Sequence, residues 1–212
     1  MAVKDPLKVT ITNYPEGQIE YVDAENNSEV LEFGSRKIAF SRDLYIERED
    51  FLLEKPNKHF KRLALGLEVR LMHAYFIKAN EVKYDDAGNI IEVLCTYDPA
   101  TKSGSGFNER KPNGTIHFVE ATTACKAQFN LFNPLIWDAT EETKHLSFIE
   151  RLNKDSWEVV HGYVEASLAN SEVGTHYQFL RNGYYCTDKL SSKDNLIFNR
   201  TCGLKSSFNP NN

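Results

Sequence analysis

The sequence lacks the features typical of a secreted, membrane-embedded or metal-bound protein. Its 212 residues include only four cysteines, with no C-x-x-C pair, whereas disulfide-stapled domains are far richer in cysteine. No apolar run approaches the ~18 residues of a membrane span, and no signal-peptide core is present. The six histidines are scattered, without the spacing that zinc sites use. These absences predict a reduced, cytoplasmic chain with no membrane partner and no metal.

Catalytic signatures are also missing. The sequence contains no G-x-G-x-x-G, no P-loop and no G-x-S-x-G, the motifs that mark nucleotide binding or a nucleophilic serine. Two adjacent acidic pairs, Asp85-Asp86 and Glu141-Glu142, stand at turn or helix-start positions where carboxylates are common anyway. The residues therefore predict a binding module that is not catalytic on its own.

Aromatic residues are abundant, with 13 Phe and 10 Tyr, and they favour strands. Period-two alternation, the mark of a half-buried strand, predicts strands near 7–14, 37–46, 68–84, 89–97, 115–121, 126–132, 158–165, 176–187 and 195–204. Asn182-Gly183 lies between two such stretches, and Asn-Gly favours a type I′ hairpin turn. Helix is predicted only for one turn within 48–54 and for a short amphipathic segment at 141–152.

A polar stretch rich in Gly, Pro and Ser, residues 98–114, separates the strands into two groups. Such a stretch is typical of a domain boundary or a long loop. The predicted fold class is mainly β, with two tandem antiparallel β-barrels or sandwiches and few short helices.

A cluster of cations precedes one apolar strand. Lys58, His59, Lys61 and Arg62 lie within five residues, and Arg70 follows in the strand, although the formal net charge of the chain is -5. A local basic cluster on an acidic background favours a confined anion-binding site. The alternative is an ordinary solvated turn.

Several segments, spread in order over most of the chain, resemble one family. They include Lys58-His59-Phe60-Lys61-Arg62-Leu63, Gln178-Phe179 with Arg181-Asn182-Gly183-Tyr184, and Phe198-Asn199-Arg200-Thr201. Their order and spacing are similar to those of the C-terminal anticodon-binding region of glutaminyl-tRNA synthetase, a class I aminoacyl-tRNA synthetase.

The resemblance implies two β-barrels related to a ribosomal 5S-RNA-binding protein. The proximal barrel would span 1–113 and be completed by 196–212, and the distal barrel would span 114–195. The resemblance further implies a monomeric piece of a longer glutamine-tRNA ligase of protein biosynthesis. The catalytic domain, with its ATP and Mg, would lie elsewhere, and this chain would bind no cofactor.

The resemblance also implies that the chain binds the anticodon loop of tRNA(Gln). Unstacked anticodon bases are read by hydrogen bonding and stacking, for which the planar fork of arginine and the two-way amide of glutamine are suited. The residues carried over from the family are Lys61 and Arg62 for the third base, Arg70 for the first base, Gln178 and Arg181 for the central U, and His59 in the basic cluster.

Two alternatives remain open at the level of sequence. The first is a free-standing structural RNA-binding barrel protein of the ribosomal 5S-RNA-binding type. The second is a barrel that binds a small ligand or a protein, which the acidic net charge would suit. Among aromatics, Phe60, Tyr75 and Tyr184 are candidates for stacking on bases or for the core.

Overall fold

The computed structural model describes residues 1–27, 29–136 and 143–204, and strands dominate them. In chain order the seventeen strands of these residues are β1 (Ala2–Val3), β2 (Pro6–Ile11), β3 (Ile19–Glu25), β4 (Ser35–Ser41), β5 (Asp43–Glu47), β6 (Phe51–Leu52), β7 (Leu63–Ala64), β8 (Glu68–Leu71), β9 (Phe76–Tyr84), β10 (Ile90–Asp98), β11 (Thr115–Ile116), β12 (Val119–Glu120), β13 (Cys125–Phe132), β14 (Trp157–Val164), β15 (His176–Phe179), β16 (Gly183–Thr187) and β17 (Leu196–Cys202). The helices are three-residue 3-10 turns at Leu31–Phe33, Arg48–Asp50, Pro99–Thr101 and Ala166–Leu168. None of these helices is long and apolar enough to cross a membrane.

Seven strands form the first sheet, in the order β11-β8-β9-β10-β2-β5-β12. The strands predicted at 68–84 and 89–97 are present as β8, β9 and β10, and β9 pairs with β10 in a long antiparallel hairpin. Alternation along β2 buries Leu7, Val9 and Ile11 completely, as period-two patterning requires. Strands β3 and β4 form a separate ribbon, and β6 pairs with β7.

Six strands form the second sheet, in the order β1-β14-β13-β17-β16-β15. Its core is a separate apolar cluster in which the rings of Phe129, Phe179, Tyr185 and Phe198 pack together, with centroids 4.9–6.1 Å apart. Two sheets with two cores confirm the predicted mainly β fold of two barrel-like units with few short helices.

Both sheets contain parallel pairs beside the expected antiparallel ones. Strand β2 runs parallel to β10, and β13 runs parallel to β17. Parallel neighbours need a long crossover connection, and the chain provides one in each case because three other strands of the same sheet lie between the two partners in sequence.

The C-terminal strand is not where the resemblance led us to expect it. The resemblance predicts that 196–212 complete the first barrel; residues 205–212 lie outside the described part, and β17 lies between β13 and β16 of the second sheet. The physical reason is burial of apolar side chains, because Phe198 of β17 stacks on Phe129 in the second core. Conversely, β11 and β12 join the first sheet, where Phe118 is buried. The domain boundaries at 113/114 and 195/196 stay predictions. The strands that follow them, β11 and β12 after the first and β17 after the second, pair with the sheet opposite to the one expected.

The helix predicted at 141–152 is wrong over residues 143–152, and residues 141–142 lie outside the described part. Residues 143–151 form mostly turns, and Leu152 makes an isolated antiparallel bridge to Ile136. A short helix is stabilised mainly by packing of its apolar face, but Phe148 is 56% exposed and Ile149 is 75% exposed. The single turn predicted within 48–54 is confirmed as Arg48–Asp50.

Candidate nucleic-acid interface

The predicted basic cluster lies on the segment between β6 and β7, and residues 57–62 are called the cationic loop below. Asn57 begins the loop by accepting, at Oδ1, hydrogen bonds from the backbone N–H of His59 (2.9 Å) and Phe60 (3.1 Å). This Asx-type turn directs the chain so that His59 and Lys61 are exposed. Neither side chain hydrogen-bonds to any other described residue, so both are available to a ligand.

The segment that precedes β11 anchors the cationic loop from below. The Asn113 amide donates to the carbonyl oxygens of Phe60 (3.0 Å) and Arg62 (2.7 Å). Gly114 follows, and a Cβ at this position would lie 1.8 Å from the carbonyl oxygen of Lys61. Only glycine permits this approach. Asn113 and Gly114 therefore fix the position of the cationic loop relative to the start of β11.

Arg70 is the most structurally occupied of the predicted site residues. Its Nη1 donates to the Thr101 carbonyl (3.0 Å) and to Ser103 Oγ (3.0 Å), and its guanidinium carbon lies 4.3 Å from the centroid of the Phe76 ring. Burial lowers the pKa of Arg70, although a guanidinium stays charged in proteins. These contacts hold the 99–103 connection against β8, and the contact of Arg70 with the first base stays a prediction.

The predicted hairpin at 176–187 is confirmed as β15 and β16, but its turn differs from the expected type I′. Phe179 pairs with Gly183, so three residues form the loop, and the Asn182 N–H donates to the Phe179 carbonyl (2.8 Å). Two residues here have a positive φ, Arg181 at +66° and Gly183 at +133°. A left-handed arginine is strained by roughly 1–2 kcal/mol, so its surroundings must hold it.

Contacts with neighbouring elements explain why Asn182-Gly183 does not form the expected turn. The Asn182 amide donates to the Ala2 carbonyl and to Glu47 Oε1, each at 3.0 Å. A Cβ on Gly183 would lie 2.7 Å from the Cys202 carbonyl oxygen. Asparagine and glycine are therefore used here for contacts between elements, and Arg181 adopts a positive φ in addition to Gly183.

One buried carboxylate is contacted by two arginines, one from the hairpin of the second sheet and one from the cationic loop. Arg181 is bidentate on Asp50, with Nη1 to Oδ2 at 2.5 Å and Nη2 to Oδ1 at 2.6 Å. Arg62 approaches the same Oδ1 through Nε at 3.3 Å, while its Nη1 donates to the Glu49 carbonyl at 2.9 Å. Asp50 is fully buried (0% exposed). The structure therefore brings together Arg62 and Arg181, which the resemblance assigns to the third base and the central base.

His117 and Glu47 extend this buried network. His117 Nδ1 lies 3.2 Å from Arg181 Nη1, and because arginine only donates, Nδ1 accepts and the ring proton is assigned to Nε2, 3.8 Å from Glu47 Oε1. Burial by itself would raise the pKa of Glu47. The nearby His117 ring, whose Nε2 is too distant at 3.8 Å for a hydrogen bond, and the hydrogen bonds from the backbone N–H groups of Lys4 and Asp5 outweigh burial and hold that pKa at about 2. Glu47 is therefore an anion at the junction of the sheets.

The pKa of Arg181 reflects the same balance. Burial alone would lower it, but the hydrogen bonds and charge of Asp50 raise it. Arg181 keeps its charge in a largely desolvated position, and its Nε–H and one Nη2–H have no partner among the described residues. These two donors can point to a ligand.

Gln178 stands apart from the network. It is exposed on β15, paired with Tyr184 of β16, and its amide has no hydrogen bond within the described residues. Tyr184 is 45% exposed and Tyr75 is 5% exposed. Tyr184 therefore remains available for stacking, whereas Tyr75 belongs to the first core, and Phe60 is half-buried.

Sequence reasoning missed Asp50, Glu47 and His117 as partners of the site. All three are less than 5% exposed. The run Glu47-Arg48-Glu49-Asp50 is indistinguishable in sequence from a solvated acidic turn. The one available signal was the placement of acids at the start of a predicted helical turn, which is common and carries no direction.

Comparison with known proteins identifies the family of the chain. Two family models, each described as tRNA synthetases class I (E and Q), anti-codon binding domain, match residues 1–98 and 115–188. The chain belongs to this family. The match confirms the resemblance found in the sequence, and its two parts include every strand from β1 to β16.

Curated relatives align with almost all of the chain. The glutamine--tRNA ligase of Clostridium perfringens is 49% identical over 209 residues, which cover 98% of this chain and 38% of the relative. Those of Clostridioides difficile and Pectobacterium atrosepticum are each 45% identical, cover 99% and 98% of this chain, and align over 38% of their own length. The chain therefore spans well under half the length of these relatives.

Proposed function

We propose that this chain is the part of a glutamine-tRNA ligase that binds the anticodon loop of tRNA(Gln). The single observation that carries the proposal is the convergence of Arg62 and Arg181 on Asp50. One cation from the cationic loop and one from the hairpin of the second sheet are held there, and Lys61 and His59 of the same loop are exposed. The relatives are named glutamine--tRNA ligases, which indicates tRNA as the ligand. The shared contact with Asp50 indicates one binding surface that includes the cationic loop and the β15–β16 hairpin.

Each group has a role that its chemistry permits. The free N–H edge of Arg181 donates to a carbonyl oxygen of the central uracil, and the Gln178 amide, which donates and accepts, complements the alternating edge of the same base. Arg62 contacts the third base, and Lys61 acts as a point charge on phosphate. Arg70 contacts the first base, and His59 supports the loop backbone of the RNA.

The acidic net charge of -5 limits the binding strength of this chain alone. Few phosphates are neutralised, so the affinity is modest and falls with salt according to a small number of contacts. Most of the affinity for the tRNA, and the attachment of glutamine with ATP and Mg, belong to the catalytic domain of a monomeric, cytoplasmic enzyme. This chain itself holds no cofactor in that scheme.

The test is a fluorescence-anisotropy titration of the chain with a tRNA(Gln) anticodon stem-loop and with the same stem-loop carrying C at the central position. We expect tighter binding of the central-U loop, a preference that decreases in Gln178→Ala and persists in the control Gln18→Ala, which changes an exposed glutamine between β2 and β3. Equal binding of both loops would instead support recognition of RNA shape, as in a 5S-RNA-type barrel. Binding that is insensitive to salt would contradict any phosphate contact.

A further inference from the structure

Asp50 occupies a position that the recognition of single bases does not require. It lies in the 3-10 turn Arg48–Asp50, fully buried, and it touches no solvent through which it could reach an RNA. Its two oxygens are nevertheless contacted by three nitrogen atoms of two arginines, one in the cationic loop and one in the β15–β16 hairpin. A carboxylate in this position can act on a ligand only through those arginines.

We propose that Asp50 is a positioning residue that couples the reading of the central and third anticodon bases. The inference rests on the proposed function, in which Arg181 and Arg62 contact these two bases. Because both arginines share Oδ1 of one carboxylate, neither can shift without changing the position or the charge balance of the other.

The backbone at Arg181 makes this coupling strong in one direction. A left-handed arginine is strained, and the bidentate pair with Asp50 holds it against relaxation of the turn. Any change that moves the Asp50 carboxylate therefore moves the edge that Arg181 presents to the central base. Residues in one such network show non-additive effects, whereas distant residues add.

Arg62 is fastened so that it moves as a unit with the turn that carries Asp50. Its Nη1 donates to the Glu49 carbonyl at 2.9 Å, and its Nη2 lies 3.2 Å from Glu49 Oε1. Arg62 thus contacts both Glu49 and Asp50, whereas Arg181 binds Asp50 through both of its carboxylate oxygens. Loss of the Arg62 side chain releases the turn and leaves Arg181 as the remaining arginine on Asp50.

The test measures discrimination at the base that Arg62 does not touch. The ratio of dissociation constants for the central-C and central-U stem-loops is determined for the unmodified chain, for Arg62→Ala and for Lys61→Ala. We expect Arg62→Ala to lower this ratio by about threefold or more. The matched control Lys61→Ala, an exposed cation with no contact to Asp50, should weaken binding of both loops by the same factor and leave the ratio unchanged.

A second variant tests the coupling at the carboxylate itself. In Asp50→Asn, verified as folded by thermal unfolding, the central-base ratio should fall, and adding Arg62→Ala should lower it no further. If Arg62→Ala weakens binding but keeps the full central-base ratio, the coupling is overturned while the proposed function stands. If the unmodified chain shows no central-base preference, the proposed function fails and the coupling with it.

Discussion

Glu47 is expected to make the stability of the chain depend on pH below about 4.5. Its buried carboxylate accepts hydrogen bonds from the backbone N–H of Lys4 and Asp5 and from the Asn182 amide, each at 3.0 Å. The side chain thus links the N-terminal segment, the first sheet and the hairpin of the second sheet. Protonation removes the acceptor charge on which all three contacts depend.

The sign follows from a pKa that is lower in the folded state. The pKa of Glu47 falls from 4.5 to about 2 on folding, so between these values the unfolded chain binds more protons than the folded chain. The contribution of Glu47 is therefore complete above pH 4.5 and is lost as pH falls through about 2. At about 1.4 kcal/mol per pKa unit, the total is roughly 3 kcal/mol, of which about 2 kcal/mol is lost by pH 3.

The assay is urea unfolding of the unmodified chain and of Glu47→Gln at pH 7, 4.5 and 3. Glutamine keeps the shape of the side chain but not its charge, and other carboxylates titrate equally in both proteins. We expect Glu47→Gln to be less stable at pH 7, and the difference to shrink by about 2 kcal/mol at pH 3. A difference that stays constant across this range would refute the assignment of Glu47 as a buried anion.

Two further predictions concern the residues that support the interface. Gly114→Ala should destabilise the chain by about 2 kcal/mol and weaken stem-loop binding, because the new Cβ displaces the Lys61 carbonyl. Its control is Gly203→Ala, where nothing lies within 4 Å of the new Cβ. Thermal melting and anisotropy measurements should show neither effect in the control. Arg181→Ala should lower the free energy of unfolding by about 3 kcal/mol, because it leaves Asp50 without its bidentate partner. Arg181→Gly should be about 1 kcal/mol more stable than Arg181→Ala, because glycine tolerates the positive φ. Equal urea midpoints for the two variants would argue against backbone strain at residue 181.

Period-two alternation was enough to predict most strands of both sheets. The burial of Leu7, Val9 and Ile11 follows directly from it, because a strand turns successive side chains to opposite faces. Membership of a sheet was not predictable in this way. Nothing in the alternation of β17 distinguishes pairing with β13 from pairing with the first sheet; the choice depends on long-range packing of Phe198 against Phe129.

The site shows the same limit. The cationic loop and the Asn182-Gly183 hairpin were visible in the sequence because turn residues and charges act locally. The conformation of the hairpin turn was not, because contacts of Asn182 with Ala2 and Glu47 override the local preference of Asn-Gly. Nor could the sequence reveal that Asp50 is buried between Arg62 and Arg181, since burial of an acid is decided by its distant partners.

The central claim is that the β15–β16 hairpin contacts the central anticodon base. It is tested most directly by photocrosslinking a tRNA(Gln) anticodon stem-loop with 4-thiouracil at the central position to the unmodified chain, followed by mapping of the modified peptide. The account predicts adducts within 176–187, with the cationic loop at 57–62 labelled only when the photoreactive base is moved to the third position. Adducts from the central position that fall in the first sheet and never in the hairpin would contradict it.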